Sequence, residues 1–271
     1  VNHGAVITTQ GTFIAPSGMY INTYGGPDTI YLYTVADTVT TTVHTGAGAD
    51  VVNLYRSSDL AGSQTSIFGD DGDDNFYLYN TINNVTIDGN GGVDTFHMYL
   101  APTSSGTMIL YGGADNDLFQ LYSNGSAGSV NLTMDGGQND DTWIFQNNWG
   151  QVDNITDTGG GQDTLDFSNV TYRVRVVIGS PNSTNPELEQ VLISQDVVTA
   201  NTDAANPLTG GANTAISLGN TIEHLIGGME SDSFNFLDGA ILARNDQVTA
   251  ATIDGYAGTA DLLNYTAYTT S

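Results

Sequence analysis

Apolar residues return along this chain two positions apart, and each pair follows an Asp that closes a Gly-rich turn. The stretch Ile67 to Tyr99, IFGDDGDDNFYLYNTINNVTIDGNGGVDTFHMY, holds two copies of the pattern. The closing residues are Asp28, Asp50, Asp74, Asp94, Asp117, Asp141 and Asp163, at intervals of 22, 24, 20, 23, 24 and 22 residues. Two positions after each stand Ile30, Val52, Phe76, Phe96, Phe119, Trp143 and Leu165. Four after stand Leu32, Leu54, Leu78, Met98, Leu121, Phe145 and Phe167. Alternation of this kind predicts a strand with one apolar face. Seven positions before the Asp come Ile21, Val43, Ile67, Ile87, Leu110 and Met134, which predicts a second short strand ahead of each turn.

One unit is therefore strand, tight turn, strand and a variable polar corner such as RSSDLAGSQ (56–64). A unit of 20 to 24 residues cannot bury its own apolar face and must stack on its neighbours. The predicted fold is all-β, a parallel β-solenoid of β-roll or β-helix type with about 22 residues per coil, successive coils lying about 4.8 Å apart. A sandwich or meander also has short strands, but it predicts no residue type fixed at one offset in every repeat. Tyr33, Tyr55, Tyr79, Tyr99 and Tyr122 all stand five positions after the Asp and are expected to stack as one ladder on a corner.

Regular repeats cover residues 1–167, with 1–20 as the N-terminal edge. Beyond, 168–271 reads as a degenerate or second β-rich region. SNVTYRVRVVIG (168–179) alternates Val170, Tyr172, Val174 and Val176 with Arg173 and Arg175 and is expected to be one strand, with another at Val191 to Val198. The turn pattern returns near 227–236 at Asp232 and near 253–265 at Asp261. The 69 residues from Asp163 to Asp232 are close to three units, so the axis is expected to continue through degenerate coils.

Composition changes the picture in one direction. The chain carries 30 Asp and Glu against 4 Lys and Arg, a net charge of −26. That argues against nucleic acid and anionic membrane as partners. Aromatic and aliphatic content, 39% hydrophobic with 14 Tyr and 9 Phe, supplies a core. No Cys is present, so there is no disulfide or thiolate metal site. No run of about 18 apolar residues predicts membrane insertion. The start VNHGAVITTQ, without Met or a basic leader, reads as a mature or excised segment. His3, His44, His97 and His224 share no metal or catalytic spacing and read as strand or loop residues.

The turns GDDGDDNFY (69–77), GNGGVDTFH (89–97), GGADNDLFQ (112–120) and GGQNDDTWI (136–144) resemble the calcium-binding nonapeptide GGxGxDxUx of RTX proteins, the hemolysin-type repeats found in large bacterial surface, adhesin and surface-layer proteins. The resemblance implies that Gly residues supply positive φ and expose carbonyls, while the sixth-position Asp reaches a Ca²⁺ held between adjacent turns. Carried onto this chain, the metal residues are Asp74, Asp94, Asp117 and Asp141 with Asp71, Asp73, Asp115, Asp140, Gly69, Gly89, Gly112 and Gly136. Asp28, Asp50, Asp163, Asp232 and Asp261 extend the set. The chain departs from the family in having one such turn per coil rather than tandem nonapeptides. It also places Asp70, Asp115 and Asn139 at Gly positions, and TYGGPD, TGAGAD and TGGGQD lack the first Gly.

The charges themselves ask for a cation. Anchor carboxylates about 5 Å apart repel by roughly 1 kcal/mol in water and about 3 kcal/mol at an effective dielectric of 20. Ca²⁺, which accepts six to eight irregular oxygen ligands, converts that repulsion into cohesion. The expected function is an extracellular structural or assembly module of a bacterial surface protein, fibre or surface layer, rigidified by Ca²⁺, self-associating head to tail or laterally, and not an enzyme. A glycan-binding adhesin module using the Tyr ladder, and a polysaccharide-acting β-helix enzyme or accessory module, stay open as alternatives.

Overall fold

The computed structural model describes residues 6–9, 18–33, 40–57, 62–124, 130–149, 152, 154–171, 173–178, 191–195, 213–216, 222–237 and 252–267. Among them there are strands and turns and no helix. The chain winds as a parallel β-solenoid. Its first sheet stacks Val6–Thr9, Thr29–Leu32, Val51–Leu54, Asn75–Leu78, Thr95–Leu100, Leu118–Asn124, Thr142–Asn148, Thr164–Asn169, His224–Ile226 and Thr252–Asp254, every pairing parallel. Its second sheet stacks Met19–Asn22, Thr40–His44, Gln64–Phe68, Asn84–Gly91, Gly106–Ala114, Val130–Gly137 and Asn154–Thr156, again all parallel.

The register places equal repeat offsets on top of one another. Phe76 lies opposite Phe96, and Phe96 opposite Phe119. Their rings continue into Trp143 as a stack with centroids 5.0, 4.7 and 5.4 Å apart. The second position after each anchor Asp and the fourth both point inward and are buried from Ile30 to Phe167, facing Val43, Ile67, Ile87, Leu110 and Met134 of the second sheet. The core is thus a column running the length of the coil, and each coil is stable only with a neighbour on it.

The tyrosines form the expected corner ladder. Tyr33, Tyr55, Tyr79, Tyr99 and Tyr122 stack with centroids 4.6, 4.8, 5.7 and 4.3 Å apart and planes within 14° of parallel. Tyr77 and His97 stack beside it at 4.4 Å.

Past Asn169 the path changes. The stretch expected as one strand bends: Val170 donates its N–H to the Phe167 carbonyl at 2.8 Å, and a new strand, Val174–Ile178, enters a third sheet. Val170, Val174 and Val176 are all buried, so the apolar pattern was real; the backbone turns within it. Tyr172 lies outside the described residues. The third sheet runs Asn213–Ile216, Val191–Gln195, Val174–Ile178, Ser233–Leu237 and Leu262–Ala267, its first two pairings antiparallel and its last two parallel. Meanwhile the first sheet continues without interruption from Thr164–Asn169 to His224–Ile226 and Thr252–Asp254.

Replacing Phe96 by Ala empties the rung between Phe76 and Phe119. Denaturant unfolding of Phe96→Ala is expected to show a loss of about 3–5 kcal/mol. A loss under about 1 kcal/mol would contradict a continuous aromatic core.

Candidate metal centre

Each turn of the first six coils needs two left-handed residues, four and two positions before the anchor Asp. At the earlier position stand Tyr24, Gly46, Asp70, Asn90, Gly113 and Gly137; at the later stand Gly26, Gly48, Gly72, Gly92, Asp115 and Asn139, all with positive φ. Asn and Asp tolerate this region better than other L-residues. Asp70, Asp115 and Asn139, which replace Gly in the motif, therefore keep its geometry, and in each of those turns the companion position is Gly.

The first Gly of the motif has a different task. Gly69, Gly89, Gly112 and Gly136 do not have positive φ. A Cβ on Gly89 would collide with Asp94 Oδ2 and lie 2.5 Å from the carbonyl oxygen of Gly112 in the next coil. Gly69 and Gly112 stand in the same relation to Asp74 and Asp117. The Gly makes room for a carboxylate. Thr occupies this position in the turns that lack it: Thr23 Oγ1 donates to the Thr45 carbonyl at 2.5 Å, and Thr45 Oγ1 to the Gly69 carbonyl at 2.6 Å.

The anchor carboxylates are laced into the backbone. Asp28, Asp50, Asp74, Asp94, Asp117 and Asp141 each donate their N–H to Oδ1 of the next anchor, over 2.6 to 2.8 Å. The other oxygen, Oδ2 of all seven anchors from Asp28 to Asp163, is buried and has no hydrogen-bond partner. In the coils of Gly69, Gly89 and Gly112 it converges with a carbonyl oxygen of the next coil, two acceptors with no donor between them. A proton or a cation satisfies such a pair. An all-oxygen, anionic donor set suits a hard cation, and the buried orphan oxygens fit one.

Asp50, Asp74, Asp94, Asp117, Asp141 and Asp163 are correspondingly reluctant to ionise. Burial, partly offset by the backbone N–H each accepts, pushes Asp74 and Asp117 up to about 8 and Asp94 and Asp141 up to about 7; neighbouring carboxylates push the same way. Asp50 and Asp163 are raised by burial too.

The remaining expected residues lie elsewhere. Asp71, Asp73, Asp115 and Asp140 are exposed on the outside of the turns. There Asp73 Oδ1 accepts the Val93 N–H at 2.9 Å and Asp140 Oδ1 the Gln162 N–H at 2.8 Å, an outer lacing between coils. Asp232 and Asp261 do not continue the first row. Asp232 Oδ1 accepts the Val174 N–H at 2.7 Å, and Asp261 Oδ1 accepts the Asp232 N–H at 2.9 Å. The earlier turns lead from the second sheet into the first, whereas this turn follows His224–Ile226 and leads out of the first sheet into the third. The two acids belong to a second, shorter ladder at another corner. Asp232 Oδ2 is satisfied by the Gly228 N–H at 2.6 Å, and burial raises this carboxyl to about 6.

Sequence reasoning missed the residue that does continue the first row. Glu223 accepts the Asp163 N–H at 2.9 Å through Oε2 and is buried. Its signal was an acid two positions before the core residue Leu225, without the Gly-rich turn. It also missed Asp157, buried beside Asp141 and Asp163, with oxygens of the three carboxylates within 4.8 Å of one another. His44, His97 and His224 are strand residues as expected, and His44 Nδ1 lies 3.1 Å from Asp70 Oδ1; His3 lies outside the described residues. Comparison with protein-family models, curated proteins and solved structures finds no match for the chain.

Two outcomes follow from this geometry. Gly89→Ala is expected to cost about 1–3 kcal/mol. Gly91→Ala, whose Cβ would meet nothing nearer than the Asp70 carbonyl at 3.7 Å, should cost less than about 1 kcal/mol in the same melts. The raised carboxyls set the pH response: without divalent cation the folded state holds protons that the unfolded chain has released. Stability is then full below the unfolded carboxylate pKa of about 4 and falls as pH climbs to about 7 or 8. Thermal melts in chelator from pH 4 to 8 check the sign, and a rise in melting temperature over that range would refute it.

Proposed function

We propose that the chain is an extracellular structural module of a bacterial surface protein, a β-solenoid that Ca²⁺ folds and stiffens through the stacked Asp turns. The observation that carries this reading is the row of buried carboxylates, each with one oxygen laced to the neighbouring coil and one without a donor. Calcium matches their chemistry, since it accepts irregular sets of carboxylate and carbonyl oxygens where Mg²⁺ demands a strict octahedron. The turns that resemble RTX repeats, 69–141, are the ones with this arrangement most fully developed.

The same chemistry supplies a switch. With little Ca²⁺ the buried carboxylates oppose folding, which keeps a chain of charge −26 open for export; external Ca²⁺ then folds it. The reading gives the protein no catalysis and assigns it assembly with further copies along or beside the axis. It assigns the Tyr ladder to cohesion between coils, because near-parallel rings 4.3 to 5.7 Å apart already engage one another's flat faces, the surfaces on which sugars stack.

Thermal melting and far-UV circular dichroism with Ca²⁺ and then with chelator test the proposal. Chelation is expected to lower the melting temperature by about 10 °C or more; unchanged melting and unchanged β signal would overturn it. Asp94→Ala is expected to weaken Ca²⁺ binding at one site by about tenfold or more, while Asp71→Ala, whose side chain stays in solvent, changes affinity less than about threefold by calorimetry.

A further inference from the structure

The seventh turn is built differently from the six before it. Thr156 pairs with Asp135, 21 residues earlier, but Gly160 bridges to Gln138, 22 residues earlier. One residue has therefore been inserted between them. Thr158 occupies the first-Gly position, since it lies five before Asp163, and Gly159 packs over the Gly137 carbonyl. The extra residue is Asp157.

An inserted residue in a tight turn is normally accommodated by bulging outward. Here the carboxylate turns inward and is 5% exposed. The Gly137 N–H of the previous coil donates to its Oδ1 at 3.1 Å and the Gly160 N–H to its Oδ2 at 2.7 Å, which fixes it in place. Beside it lie Asp141 and Asp163, both 0% exposed and each with an Oδ2 that no donor reaches. Among the described residues no cationic side chain offsets them. Asp135, held by the Thr158 N–H and hydroxyl, and Glu223 at the next rung add charge of the same sign nearby.

We infer that Asp141, Asp157 and Asp163 form a discrete cation site of their own, distinct from the repeated turn positions because one ligand comes from an inserted residue outside the turn motif. It takes a hard divalent or trivalent cation with oxygen ligands, Ca²⁺ or a lanthanide, and loads before the other positions. The inference rests on the reading that buried turn carboxylates of this chain take cations. Affinity at such sites rises with the number of carboxylates, and three within 4.8 Å exceed the single anchor of an ordinary turn. The site lies where the second sheet ends with Asn154–Thr156 and the first sheet goes on to His224–Ile226, so its cation would clamp the junction at which the path changes corners.

Trp143, two residues after Asp141 on the strand Thr142–Asn148 that this Asp immediately precedes, makes the site observable with Tb³⁺ alone. The full chain, stripped of metal, is titrated with Tb³⁺ under selective Trp excitation. The wild type is expected to show a first, Trp-sensitised equivalent that Ca²⁺ displaces. Asp157→Asn should weaken that equivalent about tenfold or more, and Asp74→Asn, three coils away, should leave it in place while removing a later one. If the first equivalent is unchanged in Asp157→Asn but Asp74→Asn loses a site, the discrete site is refuted and the broader reading stands. If the wild type binds no Tb³⁺, both fall. Asn keeps an acceptor for one of the two N–H groups; should it still fail to fold by circular dichroism, Asp157→Ser is the second variant. The wild-type titration decides in any case, because Tb³⁺ emission without Trp sensitisation overturns the site.

Discussion

Everything distinctive about this solenoid follows from a buried carboxylate with two oxygens and only one donor. An isolated buried charge is far too costly to keep, and rows of them at the coil spacing compound the cost. The fold meets half of the demand internally: Oδ1 of each anchor takes the N–H of the anchor below, which turns a side chain into a backbone link between coils. The other half decides what stands around it. Gly at the first turn position exists to admit Oδ2, and where Thr stands instead its hydroxyl supplies the donor that the neighbouring carbonyl lacks. What protein groups leave unmet, a proton meets in the absence of metal, which couples folding to pH; the proposed cation would act through the same atoms.

The period, both strands, the inward pairs and the Tyr ladder were legible because each depends on one residue type at one offset, and stacking repeats the demand in every coil. Phe76, Phe96 and Phe119 differ from Val52 and Leu165 only in how they fill the column, so the alternation survives substitution. The turn motif was legible in part. Asp70, Asp115 and Asn139 stand at Gly positions of the motif, and the sequence alone does not say that the requirement there is conformational rather than compositional: the backbone needs positive φ at two places, and Asn, Asp and Gly all meet it.

Other features were illegible for physical reasons. Glu223 occupies a rung of the first ladder without the Gly-rich turn that marks the others, its Oε2 accepting the Asp163 N–H. Asp157 is invisible to a periodicity argument since an inserted residue shifts only the local count, and its burial depends on donors from two different coils, Gly137 and Gly160. Asp232 and Asp261 carry the expected offsets, yet their turns lead from the first sheet into the third rather than from the second into the first. A local pattern carries no information about which corner it occupies.

The change of corner has its own electrostatic logic. Continuing the first row would place each new carboxylate about 4.8 Å from the last, with one more like charge for every coil added. Glu223 ends that row, and the next Gly/Asp turn begins at Gly227, at the opposite end of the strand His224–Ile226. Four residues of extended chain separate the two rows by about 13 Å, nearly three times the spacing of rungs within one row, so Coulomb repulsion between rows is correspondingly weaker. The second row therefore starts with little repulsion from the first. It also starts better satisfied: both oxygens of Asp232 have backbone donors, from Val174 and Gly228, and its carboxyl is raised less than those of Asp74, Asp94, Asp117, Asp141 and Asp163. Carboxylate oxygens without a donor are accordingly concentrated on one corner, from Asp28 to Asp163, while Asp232 beyond it has both oxygens met by backbone N–H groups.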